Sequence, residues 1–397
     1  MKTSKEGSNG RVSRWVAPFV GAALVMATQG AHAAATIKAG EYQWVSIGVG
    51  ARAQYTAAED AAPSGSDYSN QFRIQETRLY VAGQVHEYVK LTFNSFCESC
   101  VFGANTFSAA GDDGQPNSGG DWEILDVIAQ FEINPMFNVW VGRMLTPADR
   151  IEMNGPFYAM SWNQYNVALL PSDGLGGAGL LGRDDGVTGW GALDKFEYAI
   201  GVFDGLDGTA NGANEEDNVM IAGRLEYNFL SKEPSPAYYT ASTYFGEAGD
   251  IFTVGFSLTH QADFYGVPGN HGDFTGYIVD ALFEKVLPGG GVVNVEGEYK
   301  IFDTDDFADV DSYFVTVGYM FPKVIGIGRF QPYVRWVEND WDVGPDTDLI
   351  EVGLNYRIKG YDAWINFNYQ NGDAAVGGGP KAQGSSDAFQ IGVQVQI

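Results

Sequence analysis

The chain has 397 residues, of which 23 are basic and 50 acidic, for a net charge of −27. Such acidity excludes a nucleic-acid binder, which needs a basic face. Only 18% of residues are charged, few for a soluble protein, and no linker, charge block or composition shift divides the chain into the two or three domains its length would suggest.

At the N-terminus, Lys2, Lys5, Arg11 and Arg14 precede an apolar segment from Trp15 to Ala27, and Ala31-His32-Ala33 follows. This pattern predicts a signal peptide over residues 1–33, cut among Ala33 to Ala35. The segment is too short for a membrane anchor, and nothing after it approaches the ~18 apolar residues of a spanning helix. Removing those four cations and Glu6 leaves the mature domain, 34–397, with a net charge of −30.

Downstream, alternation of apolar and polar residues predicts strands near 41–55, 71–84, 86–97, 121–132, 136–145, 186–193, 195–204 and 217–229. The second half adds 250–261, 273–286, 290–302, 310–321, 328–339, 347–358, 361–370 and 387–397. The last strand is the clearest: Phe389, Ile391, Val393, Val395 and Ile397 share one face, and Gln390, Gly392, Gln394 and Gln396 the other. Strand 347–358 sends Ile350, Val352, Leu354 and Tyr356 one way and Glu351, Gly353, Asn355 and Arg357 the other. Tyr319, Trp336, Tyr356 and Tyr369, near strand ends, suit interfacial girdles. About sixteen strands with one apolar and one polar face predict an all-β fold: a transmembrane antiparallel barrel in a Gram-negative outer membrane, among lipid and lipopolysaccharide. A soluble sandwich would need neither the girdle nor a charged second face.

Short turns at 85–86, 134–135, 193–195, 287–290 and 359–360 alternate with long connections at 56–70, 98–120, 146–185, 205–216, 262–272 and 371–386. Short turns belong to the periplasmic end and long loops outside. Residues 230–249, with Pro234 and Pro236, fall out of step and read as an unusually long periplasmic connection.

A barrel of this width leaves an aqueous lumen unless something plugs it. The third and longest loop, 146–185, carries Trp162, Tyr165, Leu169 and Leu170, and is expected to fold inward and narrow the bore. Candidate pore-lining cations are Arg52, Arg78, Lys90, Arg143, Arg224, Lys300, Arg335 and Arg357, joined by Arg150 and Arg183 from the loop. Against them stand Asp126, Glu197, Glu226, Asp280, Glu284, Glu296, Glu298 and Glu351. Distant loop charges are screened over ~8 Å, so the constriction outweighs the net charge. If Arg143, Arg150 and Arg183 line it, a modest anion preference is expected. If they pair with Asp149, Asp184 and Asp185, the pore is expected to be weakly cation-selective, the outcome favoured because these partners are adjacent in sequence.

The stretches Val141-Gly142-Arg143, Gly182-Arg183-Asp184-Asp185-Gly186-Val187 and Tyr198-Ala199-Ile200-Gly201-Val202-Phe203-Asp204-Gly205 resemble the phosphate-selective porin O and P family. Phe72-Arg73-Ile74 with Arg78-Leu79, Tyr238 through Tyr244, and Gln331-Pro332-Tyr333-Val334-Arg335 extend the likeness over nearly the whole mature chain. The resemblance implies a sixteen-stranded homotrimeric porin with an infolded third loop, passing small hydrophilic solutes or inorganic ions, anions such as phosphate among them. This chain departs where that family places lumen cations: its third loop reads Trp162-Asn163-Gln164-Tyr165-Asn166, and it ends on Ile397 rather than Phe.

Other motifs carry less. Cys97 and Cys100 are the only cysteines, and a loop disulfide is the expectation for an exported protein, with metal or redox chemistry the alternatives. Gly174 to Gly179 matches GxGxxG but follows Pro171 instead of a strand. Asp303, Asp305, Asp306, Asp309 and Asp311 lack EF-hand spacing and read as a solvated loop, with weak divalent bridging open. No Ser-His-acid order or nucleophile elbow points to an enzyme, and no cofactor is implied. The rival expectation is a structural or adhesive barrel, or the sheath of an electron-transfer conduit.

Overall fold

A computed structural model describes residues 35–98, 122–170, 182–206, 218–267, 270–305 and 308–397. The first strand, β1 (Ala35–Lys38), is followed by β2 (Trp44–Ala58), β3 (Ser69–His86), β4 (Val89–Glu98), β5 (Glu123–Asn134) and β6 (Phe137–Leu145). Then come β7 (Arg183–Leu193), β8 (Phe196–Phe203), β9 (Met220–Asn228), β10 (Ile251–Val267), β11 (Asn270–Val286) and β12 (Val292–Asp303). The last five are β13 (Val310–Met320), β14 (Arg329–Trp341), β15 (Thr347–Lys359), β16 (Ala363–Gly372) and β17 (Ser386–Gln396).

From β2 onward each strand pairs antiparallel with the next, and β17 returns to β2 with Val393 opposite Ala53 and Gln394 opposite Arg52. Sixteen strands therefore close on themselves, and closure leaves no unpaired edge. The seventeenth, β1, lies outside the ring and was not expected from the sequence. It pairs with Trp44 to Ile47 of β2, beyond the point where Ile397 and Val49 exchange backbone hydrogen bonds of 2.9 Å.

The faces follow the two-residue period. Ile221 and Leu225 on β9, Val315 and Val317 on β13, Ile350 and Val352 on β15, and Val393 and Val395 on β17 are exposed on the outer wall. Their neighbours Arg224, Glu226, Thr316, Glu351, Gln394 and Gln396 are buried inside. Aromatic pairs band the outside at both ends of the strands: Phe229 stacks on Phe252 at 4.9 Å and Tyr319 lies 5.0 Å from Phe321 at one end. At the other end Tyr55 lies 4.9 Å from Phe72, and Tyr313 6.4 Å from Trp336. Two aromatic bands flanking an apolar belt are what a bilayer-spanning barrel requires.

Two connections differ from expectation. Between β10 and β11 the strands run on to Val267 and Asn270, so the loop expected at 262–272 is a strand hairpin with a register shift between Gln261 and Tyr265. The connection at 230–249 does not hang into the periplasm. Its residues Glu233 and Tyr238 to Tyr244 are buried inside the barrel.

Candidate functional site

The lumen is occupied from both ends. From the loop end enters the segment after β6. Asp149 caps the short helix α1 (Arg150–Asn154) by accepting a 3.1 Å hydrogen bond from the Glu152 amide, and Gly155, at φ 61°, turns the chain into a single 3-10 turn, Pro156–Tyr158. Residues 159–170 then run extended along the wall formed by β12 to β17 and β2.

An extended segment inside a barrel presents carbonyls that no sheet partner satisfies, and each is costly if left alone. The wall satisfies them with its cations. Arg52 donates to the Trp162 carbonyl at 2.6 Å, Arg335 to Asn163 at 3.0 Å and Gln164 at 2.7 Å, and Lys300 to Ala168 at 2.8 Å. Arg357 reaches the Ala159 carbonyl at 3.4 Å. Neutral amides do the same work: Asn355 donates to Met160 at 2.9 Å, Asn339 to Asn166 at 3.1 Å and Gln394 to Phe157 at 3.0 Å. The guanidinium of Arg52 also stacks 4.0 Å from the Trp162 ring, and Arg357 3.9 Å from Trp364. Arg52, Arg335 and Arg357 thus point inward as the alternation requires, and end on loop carbonyls.

From the other end enters the β9–β10 connection. Tyr238 donates to the Leu145 carbonyl at 2.6 Å, Asn154 donates to Ser242 Oγ at 3.2 Å, and the Ser242 amide donates to the Tyr158 carbonyl at 3.0 Å. Tyr238 and Tyr239 pack 5.9 and 5.6 Å from the inward ring of Trp140. Four buried apolar clusters fill the space between the two segments and the wall, one of them around Ile128, Trp140, Met144, Phe203 and Met220. Burial pushes the phenols of Tyr238, Tyr239 and Tyr244 above their ordinary value.

The two segments meet at Arg150. Its guanidinium donates to both oxygens of Glu233, at 3.1 and 2.9 Å, to Glu296 at 3.1 Å, to Asp280 at 3.3 Å and to the Ala241 carbonyl at 3.0 Å. Its backbone amide donates to Glu298 at 2.7 Å. Burial alone would lower the guanidinium pKa; Glu233, Asp280 and Glu296 outweigh it and hold Arg150 well above its ordinary value. Next to it, Arg224 pairs with Asp280 and with Glu226 at 3.0 Å, while Lys300 pairs with Asp149 and with Glu298 at 2.9 Å. A small polar cavity, lined by Glu197, Arg224, Glu226, Glu233, Tyr238 and Tyr239, lies between the connection and β8–β9.

The remaining candidates divide by position. Arg78 pairs with Glu76 and Lys90 with Glu132 inside the barrel, Arg183 pairs with Asp126 at 3.0 Å, and Glu351 accepts from Tyr333 and from Gln370 at 3.2 Å. Arg143 requires correction: it shares the outward row of Val139 and Val141 and meets Asp185 at 3.1 Å on the outer wall. Of the pairings expected with Asp149, Asp184 and Asp185, that one forms; Asp149 is held by Lys300, and Asp184 accepts from the Gly205 amide at 2.8 Å.

In the acidic loop, Asp309 accepts from the Thr304 amide at 2.8 Å and Asp303 from the Asp305 amide at 3.1 Å. No metal-ligating cluster occurs among the described residues. Cys97 is buried at the outer end of β4, while Cys100, the signal peptide expected over residues 1–33, and the motif from Gly174 to Gly179 lie outside the described residues. Glu233, Tyr238, Tyr239 and Ser242 are not among the sequence-based candidates; the signal for them is a run of aromatics in a segment whose length and prolines point to a long periplasmic connection.

No family model matches the chain, and no curated protein does. Solved structures do. The chain is similar to OmpF of Salmonella typhi at 11% identity and a TM-score of 0.56, covering 89% of this chain and 98% of that one. An anion-selective porin from Comamonas acidovorans gives 14% identity and 0.55, covering 89% and 99%. OmpT of Vibrio cholerae, an outer membrane protein in its trimer form, gives 15% and 0.52, covering 90% and 100%. At these identities the likeness is one of fold: the chain has the sixteen-stranded barrel of outer-membrane porins.

Proposed function

We propose that the chain is an outer-membrane channel for small hydrophilic solutes and ions, with a weak preference for cations. The carrying observation is a closed barrel, apolar without and charged within, with residues 146–170 of the third loop lying inside along one wall. Porin-fold neighbours agree with this reading, and the apolar belt supports residence in the outer membrane. Selectivity for phosphate or other anions finds no support in the lumen. Arg52, Arg335 and Arg357 are engaged by loop carbonyls, whereas Arg150, Arg224 and Lys300 are outnumbered by Asp149, Glu226, Glu233, Asp280, Glu296 and Glu298. Homotrimeric assembly belongs to the same proposal, on the likeness to the trimeric Vibrio protein, and sedimentation in detergent decides it.

One observation favours a second reading, a non-transport barrel: the apolar clusters that pack both inward segments. Recording from purified protein in planar bilayers separates the two. Stepwise ohmic conductance is expected of a channel; a heat-modifiable, folded barrel that never conducts would leave the structural reading.

A further inference from the structure

We propose that the β9–β10 connection, residues 229–250, is an inner plug of the channel, and that the bidentate contact between Glu233 and Arg150 is its latch. The proposal rests on the channel reading above. The connection enters from the end of the short turns, opposite the third loop, and the two segments make a continuous set of contacts deep in the lumen. Glu233 on the connection and Arg150 on the loop are both fully enclosed, with Glu233 supplying both carboxylate oxygens. Thr240 Oγ1 donates to the Arg150 carbonyl at 3.2 Å and Tyr244 donates to Glu233 at 2.9 Å, so the residues that follow hold the same cluster. The far limb is tied to the wall: Glu284 of β11 accepts from Thr243 Oγ1 and from the Tyr244 amide, each at 2.8 Å, and from the Gly246 amide at 2.6 Å.

Two further features distinguish this segment from a passive turn. Ala237 and Phe245, which carry side chains, adopt left-handed conformations at φ 55° and 57°, one on each side of the buried stretch. Such positions cost energy and persist only where surrounding contacts over-determine them. The barrel itself does not need the segment. Asn228 faces Thr253, the Phe229 amide donates to Phe252 at 2.8 Å and the Ser231 amide to Asp250 at 3.0 Å, so the ladder is complete below it. The eighteen residues between Ser231 and Asp250 are therefore not needed to close the ladder, and among them Glu233 and Tyr238 to Tyr244 are buried in the lumen. Withdrawing them exposes Trp140 and frees Arg150 from its bidentate partner, which clears the bore beside the loop.

The test is single-channel recording on three proteins whose folding is checked by heat-modifiable mobility. In the first, residues 232–249 are replaced by a short Gly-Ser turn, and conductance is expected to rise several-fold. In the second, Glu233→Gln weakens the latch, and a raised open probability is expected. In the third, Asn154→Cys with Ser242→Cys, in a Cys97→Ser, Cys100→Ser background, joins the plug to the loop across a side-chain contact of 3.2 Å. Oxidation is expected to cut its conductance roughly five-fold or more, with recovery on reduction. Conductance of the shortened protein equal to wild type, or of the cross-linked protein unchanged by reductant, overturns the plug while leaving the channel standing. Silence from wild type and shortened protein alike removes the channel reading and the plug with it.

Discussion

Gly392 on β17 leaves the space that the Trp162 indole fills: a methyl group at 392 would lie 2.4 Å from the ring. Trp162 is fully buried, donates to Gln54 at 2.7 Å and meets Trp364 edge-on at 5.2 Å. A similar relation holds between Gly50 and Phe157, at 2.9 Å. These inward glycines, which suit a wet bore on sequence grounds, are seats for the third loop. Gly392→Ala is expected to unseat Trp162, red-shift its emission and cost ~1–3 kcal/mol, the range for overpacking. Unchanged fluorescence and thermal stability would show that the seat does not hold the loop.

Arg335→Ala strands the carbonyls of Asn163 and Gln164, at ~1–3 kcal/mol for each buried acceptor left unpaired. Lysine cannot reproduce the fork that reaches both, so Arg335→Lys should restore only part of the loss. In bilayers the expected result is noisier current with the sign of the ion preference unchanged. Abolished conduction, or a reversed preference, would place Arg335 in the ion path.

Arg143→Ala removes a cation from the outer wall, where Asp185 is half exposed. Partly exposed ion pairs contribute roughly 0–1 kcal/mol, and the side chain faces away from the lumen. Selectivity should therefore not move. A shift in reversal potential on this substitution would contradict the assigned face.

Strand positions and faces were legible because a period of two sorts Val352 from Glu351 without reference to any other strand. The same counting, carried from Val141, places Arg143 outward, opposite Val127 of β5. The third loop was legible from its length. The inner plug was not: Pro234 and Pro236 point to a long periplasmic connection, and nothing local reveals that Tyr238 and Tyr239 meet Trp140 about a hundred residues upstream. Inward apolar residues such as Ile128, Trp140 and Phe203, out of place in a wet lumen, were the available hint. For the wall arginines, alternation determines the face alone; the partner of Arg52 lies 110 residues away in sequence.

Alkaline pH should loosen the plug. Burial holds the phenols of Tyr238, Tyr239 and Tyr244 above their ordinary value, with Glu233 adding to the effect at Tyr244. A raised acid pKa in the packed state means that the stabilisation is complete below ~10, the value of a free phenol, and is lost as pH rises beyond it. Conductance is expected to increase reversibly above about pH 10 while the barrel keeps its heat-modifiable mobility. A flat profile from about pH 8 to 11 would contradict a plug held by neutral tyrosines.

The most direct measurement is the zero-current potential of wild-type channels under a potassium chloride gradient. A lumen whose cations are engaged by loop carbonyls and by a larger number of carboxylates should give a small potential of the sign set by cation flux, reduced by Glu296→Gln. Strong anion selectivity, lost on neutralising Arg52 or Arg335, would contradict it.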